Sequence, residues 1–365
     1  DDIFQLSRER LIADVIPVAY DTRKVYLGEI VSPERTKQTI VKTIDEGVLI
    51  AEYSGHGGTE TWADENIFRI EDAQGLRNER LPFIIATTCL NGQFDKPLQF
   101  GLRSLSEQFL MGRNGAIANL SATRLTFGSA NAAFDEDLFK FMFTVKPPTL
   151  GGIIAAAKTE FIMKSSQLWI PGAEQYTLFG DPATRLALPD LEIQAELESI
   201  AVDANKGLVI RHNAVGRHEF SPITGKIEFR AATDFSTGAM SAVALFANYL
   251  DANPSNDRPR RKDGIQVWQG EFGDIRLSIP PDVDAGRGVV RLFAFDNQHA
   301  AVGGTKFWTY QPVILDVREV LDDQVTNTLN LFVQIVDNEG VAGIKSVDII
   351  WSDTNDFKEH TASMI

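Results

Sequence analysis

The sequence predicts an α/β domain with a mostly parallel sheet, followed by antiparallel β-sandwich units. Three observations carry that expectation. Residues 1–189 alternate short apolar runs with amphipathic stretches, the pattern of strands joined by crossover helices. From about Asp190 the apolar residues alternate or come in short runs between turn clusters, without a helical period. Near Pro312 the charge balance shifts: the last 54 residues carry 10 acids against only Arg318, Lys345 and Lys358. The expected domains are therefore 1–189, 190–311 and 312–365, in line with what 365 residues ordinarily hold.

The elements follow in order. Ser32-Pro33-Glu34 opens a helix with an N-cap hydroxyl, a proline at the first helical position and an acid near the positive dipole end. Ile40, Val41 and Ile44 give it an apolar stripe, and Gly47 stops it. Val48–Ala51 (VLIA), Leu81–Thr88 (LPFIIATT) and Gly115–Ala122 (GAIANLSA) read as buried strands. Ser104-Leu105-Ser106-Glu107 is a capping box that opens a helix through Met111. Asn131–Thr144 and Gly151–Lys164 read as amphipathic helices, with Phe134, Leu138 and Phe141 on one face. Asp181-Pro182 reads as a turn feeding the last strand of this domain. Beyond Asp190, the runs LVIRHNAV, KIEFRAAT, AVALFANYL, IQVWQGEF, IRLSI and GVVRLFAFD read as strands, separated by turns such as 253–263 and 280–288. In GVVRLFAFD, the bulk of Phe293 and Phe295 predicts that their face points inward, opposite Val290, Leu292 and Ala294. VILDVREV, LNLFVQIVD and SVDIIWSD begin the third unit.

Composition narrows the function classes. A net charge of −15 argues against nucleic acid or an anionic membrane as the main partner. No run of 18 apolar residues offers a membrane-spanning segment. The single cysteine, Cys89, excludes an internal disulfide and a Cys-rich zinc module. The chain opens on DDIFQ, without Met or signal peptide, and reads as a piece of something longer. Asn119-Leu120-Ser121 matches a glycosylation sequon but falls in an expected core strand.

Chemistry concentrates in two places. Of the five histidines (His56, His212, His218, His299 and His360) only His56 lies in the α/β segment, in Tyr53-Ser54-Gly55-His56-Gly57-Gly58 just after a strand. Flanking glycines let that backbone turn sharply and approach a ligand. Cys89 follows its own strand in Thr88-Cys89-Leu90-Asn91-Gly92. Open α/β sheets build their sites beyond the carboxyl ends of strands, so these two ends would put a base and a nucleophile on one rim. Against this stands the plainer reading of a buried thiol and a turn histidine. The papain order, Cys before His, would need His212 or His218, which belong to the β-sandwich.

The stretches YSGHGGTETWADENIF and LPFIIATTCLNGQFDKP closely resemble the gingipain family of secreted bacterial cysteine peptidases. That family includes the peptidase that removes sorting domains in the type IX secretion system. SLSEQFLMGRNGAIANLSATR, TLGGIIAAAKTEF and YTLFGDPATRLALP continue the resemblance, which covers about residues 30–189 in one collinear order.

The resemblance implies a caspase-like, N-terminally truncated peptidase domain in 1–189, with Ig-like sandwiches after it. It maps the catalytic dyad onto His56 and Cys89, 33 positions apart. The caspase-type order, His before Cys, agrees, although TTCLNG stands where caspases carry QACxG. The implied chemistry is attack by the thiolate, a thioester acyl-enzyme, and general acid–base assistance by His56. An ordinary thiol, with pKa near about 8.5, needs that help at neutral pH. Analogy with caspase-like sites nominates the Gly57 and Cys89 N–H groups for the oxyanion. An orienting acid comes from upstream in the family; Glu60 and Asp64 are the nearest acids here, with solvated carboxylates the competing reading. Trp62 reads as a cleft wall or as packing. No cofactor is required. Family members often bind Ca²⁺, so structural calcium comes with the resemblance, although the acidic tail shows no EF-hand loop or tandem Asp repeat. The expected partner is a protein or peptide substrate, with secretion machinery as a second, and the expected setting is extracellular or the bacterial cell surface. The competing function is a surface adhesion or secretion-system scaffold with an inert peptidase domain.

Overall fold

The computed structural model describes residues 2–30, 32–95, 103–164, 170–189, 191–202, 211–212, 218–219, 225–232, 240–245, 265–270, 274–279, 287–295, 300–308, 313–321, 329–336, 348–352 and 359–363. The expected turns at 253–263 and most of 280–288, together with His299, lie outside them. Contacts divide the chain into a unit ending at Leu188 and a second starting at Pro189.

The first unit holds helices α1 (Asp2–Asp14), α2 (Pro33–Asp45), α3 (Ile70–Gln74), α4 (Leu105–Met111), α5 (Gly128–Lys140), α6 (Leu150–Lys164) and α7 (Ile170–Gln175). Its strands are β1 (Ile50–Ser54), β2 (Thr61–Trp62), β3 (Phe68–Arg69), β4 (Phe83–Thr87), β5 (Ala118–Ala122) and β6 (Tyr176–Phe179). The central sheet runs β1-β4-β5-β6. β1, β4 and β5 are parallel, and β6 closes the edge antiparallel to β5. Successive side chains of a strand face opposite ways, and both faces of this sheet are covered. Phe83 and Ile85 meet Phe134, Leu138 and Phe161 from α5 and α6. Ile84, between them, meets Ile44, Ala73, Leu105 and Phe109 from α2, α3 and α4. Two covered faces explain why these strands read as continuous apolar runs.

Local signals set the helix ends. Ser32 accepts from Arg35 N at 3.3 Å to start α2, and Gly47 leaves it at φ +90°. At α4, Ser104 Oγ accepts from Glu107 N at 3.3 Å, while Glu107 Oε2 accepts from Ser104 N at 2.8 Å. α5 starts at Gly128, earlier than the periodicity suggests, and runs on as a π-helical turn, Phe141–Val145. The Asp181-Pro182 turn follows β6 rather than feeding a strand: Asp181 Oδ1 accepts from Ala183 N at 2.8 Å and pulls the chain round. Asn119 and Ser121 are buried, as their strand requires. No helix of the described residues is long and apolar enough to cross a membrane.

The described residues of the second unit form strands: β7 (Leu191–Val202), β8 (Arg211–His212), β9 (His218–Glu219), β10 (Gly225–Ala232), β11 (Met240–Leu245), β12 (Ile265–Gly270), β13 (Asp274–Ile279), β14 (Arg287–Phe295), β15 (Ala300–Trp308), β16 (Val313–Leu321), β17 (Leu329–Val336), β18 (Asp348–Ser352) and β19 (Glu359–Ser363). Seven of them order as β12-β11-β14-β15-β7-β10-β13. All pairings there are antiparallel except β15 with β7. His212, His218 and His360 lie in strands β8, β9 and β19.

β14 corrects one expectation. Its residues alternate, but Val290, Leu292 and Ala294 are the buried row and Phe293 is 42% exposed. On the buried side Leu292 faces Gly303 and Ala294 faces Ala301. A Cβ on Gly303 would fall 2.0 Å from Ile193 O on the neighbouring strand, so that position takes only glycine.

Candidate active site

The register of the central sheet decides the placement of the two candidate residues. β1 and β4 pair in parallel from Ile50↔Phe83 to Ser54↔Thr87. His56 and Cys89 each come two residues after those ends, so they leave neighbouring strands at equivalent places on one rim. His56 is exposed and Cys89 half-buried, so neither is sealed in the core.

The glycines around His56 are there for close approach. A Cβ on Gly55 would lie 2.5 Å from Tyr53 Oη, and one on Gly57 would lie 2.5 Å from Thr88 Oγ1. Thr88 Oγ1 donates to Gly55 O at 2.7 Å, tying the two strand ends together. His56 O accepts from Tyr53 Oη at 2.5 Å and from Ala63 N at 2.8 Å, which fixes the turn. Burial pushes the Tyr53 phenol up, so it remains a donor. The hairpin closes with Gly58 N on Thr61 O and Ala63 N on His56 O. In that pattern the bridged pair Gly57 and Trp62 does not exchange hydrogen bonds, and the Gly57 N–H turns away from its partner strand. On the other strand end, Leu90 takes φ +63° directly after Cys89, a left-handed turn at a non-glycine residue.

Three polar atoms near the sulfur come from Thr126, between β5 and α5. Its N–H lies 3.4 Å from Cys89 Sγ, its carbonyl 3.6 Å and its hydroxyl 3.8 Å. Asn131, buried in α5, donates through Nδ2 to Thr126 Oγ1 at 3.0 Å and to Thr87 O at 3.2 Å. The turn beside the thiol is thus pinned to the strand that carries it. Leu125 and Phe127, on either side of Thr126, are 68% and 71% exposed and give this edge an apolar border. Phe4 of α1 meets the His56 ring edge to face, centroids 5.4 Å apart.

Beneath the rim lies a charged cluster that sequence reasoning missed. Arg8 Nη1 is 2.7 Å from both Glu52 Oε1 and Asp135 Oδ2. Thr87 Oγ1 stands 3.2 Å from Glu52 Oε1. Burial pushes the Glu52 carboxyl up, against the pull of Arg8. Burial likewise raises Asp135 to about 7, with Arg8 opposing and Glu52 adding to the rise. Burial works against the charge on Arg8, but the two carboxylates outweigh it and hold the guanidinium protonated. Burial also pushes the Tyr176 phenol up, with neighbouring Thr126 opposing the rise.

The remaining candidates fall apart from this arrangement. Trp62 is 3% exposed, stacked on Tyr53 with centroids 4.6 Å apart, and packs against Phe68. It cannot wall a cleft; its Nε1 donates to Asn91 Oδ1 at 2.6 Å. Asn91 in turn donates to Gly58 O and Thr61 O, so it locks the His56 loop to the Cys89 loop. The sequence signal for Asn91 was its place in the TTCLNG stretch. Glu60 is half-buried, and its backbone carbonyl accepts from Ile70 N at 3.2 Å. Asp64 is exposed in the hairpin turn, its carbonyl accepting from Asn66 Nδ2 at 3.1 Å.

Comparison with known proteins adds an independent line. Residues 4–187 match the family model of Peptidase family C25, half of the chain. Gingipain R2 of Porphyromonas gingivalis is 22% identical over 183 residues, 49% of this chain and 24% of that protein. Gingipain R1 of the same organism is 21% identical over 248 residues, 66% of this chain and 24% of that protein. The crystal structure of the Arg-specific cysteine proteinase gingipain R aligns with TM-score 0.39 and 18% identity, covering 75% of this chain and 55% of that one. The chain spans about a quarter of the length of the curated relatives it matches.

Proposed function

We propose that this chain, which belongs to peptidase family C25, carries a cysteine endopeptidase site in which Cys89 is the nucleophile and His56 the general base. The observation that carries the reading is the shared register: both residues stand two places beyond the ends of adjacent parallel strands, inside the span that matches the family. The Cys89 thiol gives its proton to the imidazole, and the thiolate attacks the scissile carbonyl. The tetrahedral oxyanion is held by the Gly57 and Cys89 N–H groups, each such donor contributing roughly 3–4 kcal/mol in comparable sites. Collapse breaks the C–N bond, His56 returns the proton to the leaving amine, and water hydrolyses the thioester.

The caspase-like assignment of 1–189 and the Ig-like assignment of the β units, split near Pro312, belong to this proposal. So do structural calcium, an extracellular or cell-surface setting, and a protein or peptide substrate. Cys89→Ala abolishes peptide hydrolysis, because the 365 residues hold no other thiol to replace it. His56→Ala slows it by about 10²–10⁴-fold. Full hydrolysis by Cys89→Ala would leave the scaffold reading, with an inert peptidase domain.

A further inference from the structure

We propose that Thr126 is a thiolate-stabilising residue, which supplies the hydrogen bonds that hold the Cys89 sulfur in its charged form. The proposal rests on the reading of Cys89 as nucleophile and adds to it a group outside the dyad. All three polar atoms of Thr126 face the sulfur: N–H at 3.4 Å, carbonyl at 3.6 Å, hydroxyl at 3.8 Å. A neutral thiol has one hydrogen and gives it to the carbonyl. When that proton leaves for the imidazole, the S–H bond breaks and the sulfur keeps the electron pair. It then has nothing to donate and accepts from the N–H and the hydroxyl instead. The same residue therefore serves both protonation states: the N–H donates to the sulfur in each, and the hydroxyl adds a second donor once the proton has left.

Asn131 makes the hydroxyl available. Its Nδ2 hydrogen occupies a lone pair of Thr126 Oγ1 at 3.0 Å, which leaves the hydroxyl hydrogen free to turn to the sulfur. Its other amide hydrogen, on Thr87 O at 3.2 Å, anchors it to the strand that ends beside Cys89. Asn131 is 4% exposed, so water does not compete for these bonds. The other titratable or charged groups around the sulfur are His56 on the neighbouring strand end, Tyr176 beside Thr126, Asp135, Glu52 and Arg8 beneath, and the exposed Asp95–Arg124 pair next to the turn. Of these, Tyr176 also meets the Thr126 side chain, so Tyr176→Phe, which leaves the Thr126 hydroxyl in place, is the control and keeps the wild-type midpoint.

The test is the pH profile of iodoacetamide alkylation in the full chain, where Cys89 is the sole cysteine and the readout is specific to it. Thr126→Val keeps the shape and the N–H but removes the hydroxyl. Its alkylation midpoint moves up by about one pH unit, the shift that a hydrogen bond to a charged group produces. Thr126→Ser restores the wild-type midpoint, and Asn131→Ala moves it part of the way. An unmoved midpoint in Thr126→Val, or a Ser variant displaced as far as the Val one, overturns the proposal. Hydrolysis by Cys89→Ala separates the two levels. If Cys89→Ala is active, the nucleophile assignment fails; if it is dead and Thr126→Val keeps the wild-type midpoint, only the role of Thr126 fails.

Discussion

The rim that carries His56 and Cys89 and the cluster formed by Arg8, Glu52 and Asp135 lie one above the other and are built on opposite principles. The rim is half open to solvent and held by backbone hydrogen bonds, small residues and short turns. The cluster is largely shielded from water, and its three charged side chains come from three elements up to 127 residues apart. Its two carboxylates share one guanidinium, and desolvation lifts both of their pKa values. The difference assigns the two regions different work: replacements in the rim change reactivity, and replacements in the cluster change stability.

The largest stability effect falls on Arg8. Arg8→Met leaves two carboxylates without their cationic partner, and breaking a buried ion pair costs about 3–5 kcal/mol. Urea unfolding at pH 8 should show that loss, less whatever the carboxyls recover by taking up protons once Arg8 no longer holds their pKa values down. A loss under 1 kcal/mol would remove the contrast between the regions. Trp62→Phe comes next. It keeps an aromatic ring against Tyr53 but strips Asn91 Oδ1 of its donor, at about 1–3 kcal/mol. Because Trp62 is core rather than cleft, KM for a peptide substrate should stay within about twofold; a large rise in KM would return Trp62 to the substrate side.

The last effect is one of pH, read as a slope rather than as a loss. Asp135 rises from its ordinary 3.8 to about 7, so the folded protein holds that proton more tightly than the unfolded chain does. Stability from this group is therefore greatest below the unfolded value and declines as pH rises toward 7. Asp135→Asn should flatten the slope of thermal midpoint against pH between roughly pH 4 and 7. An unchanged slope would mean that another group carries it.

The two regions also differ in how far the sequence discloses them. The rim is local: glycine pairs, strand ends and a constant offset of 33 between β1 and β4 put His56 and Cys89 in view before any coordinates. The capping signals at Ser32 and Ser104 are equally local and place α2 and α4. Arg8 was invisible because α1 has a weak amphipathic pattern: Ile3 and Leu6 are 73% and 58% exposed, and Leu11 is the apolar side chain it buries. Nothing in the chain around Arg8, Glu52 or Asp135 says that they meet. Trp62 and Phe293 show a related limit, since the side an aromatic ring faces depends on the room its neighbours leave. Asn91 closes against Trp62, while Phe293 stands on the exposed side of β14.

The central claim is that Cys89 and His56 work as one unit, and alkylation of Cys89 at pH 6 tests it most directly. An unassisted thiol is almost wholly protonated there and reacts slowly. Iodoacetamide should modify the wild-type chain at least about tenfold faster than His56→Ala, because the imidazolium favours the thiolate. Equal rates in the two proteins would mean that the neighbouring strand ends hold a histidine and a cysteine that do not act together.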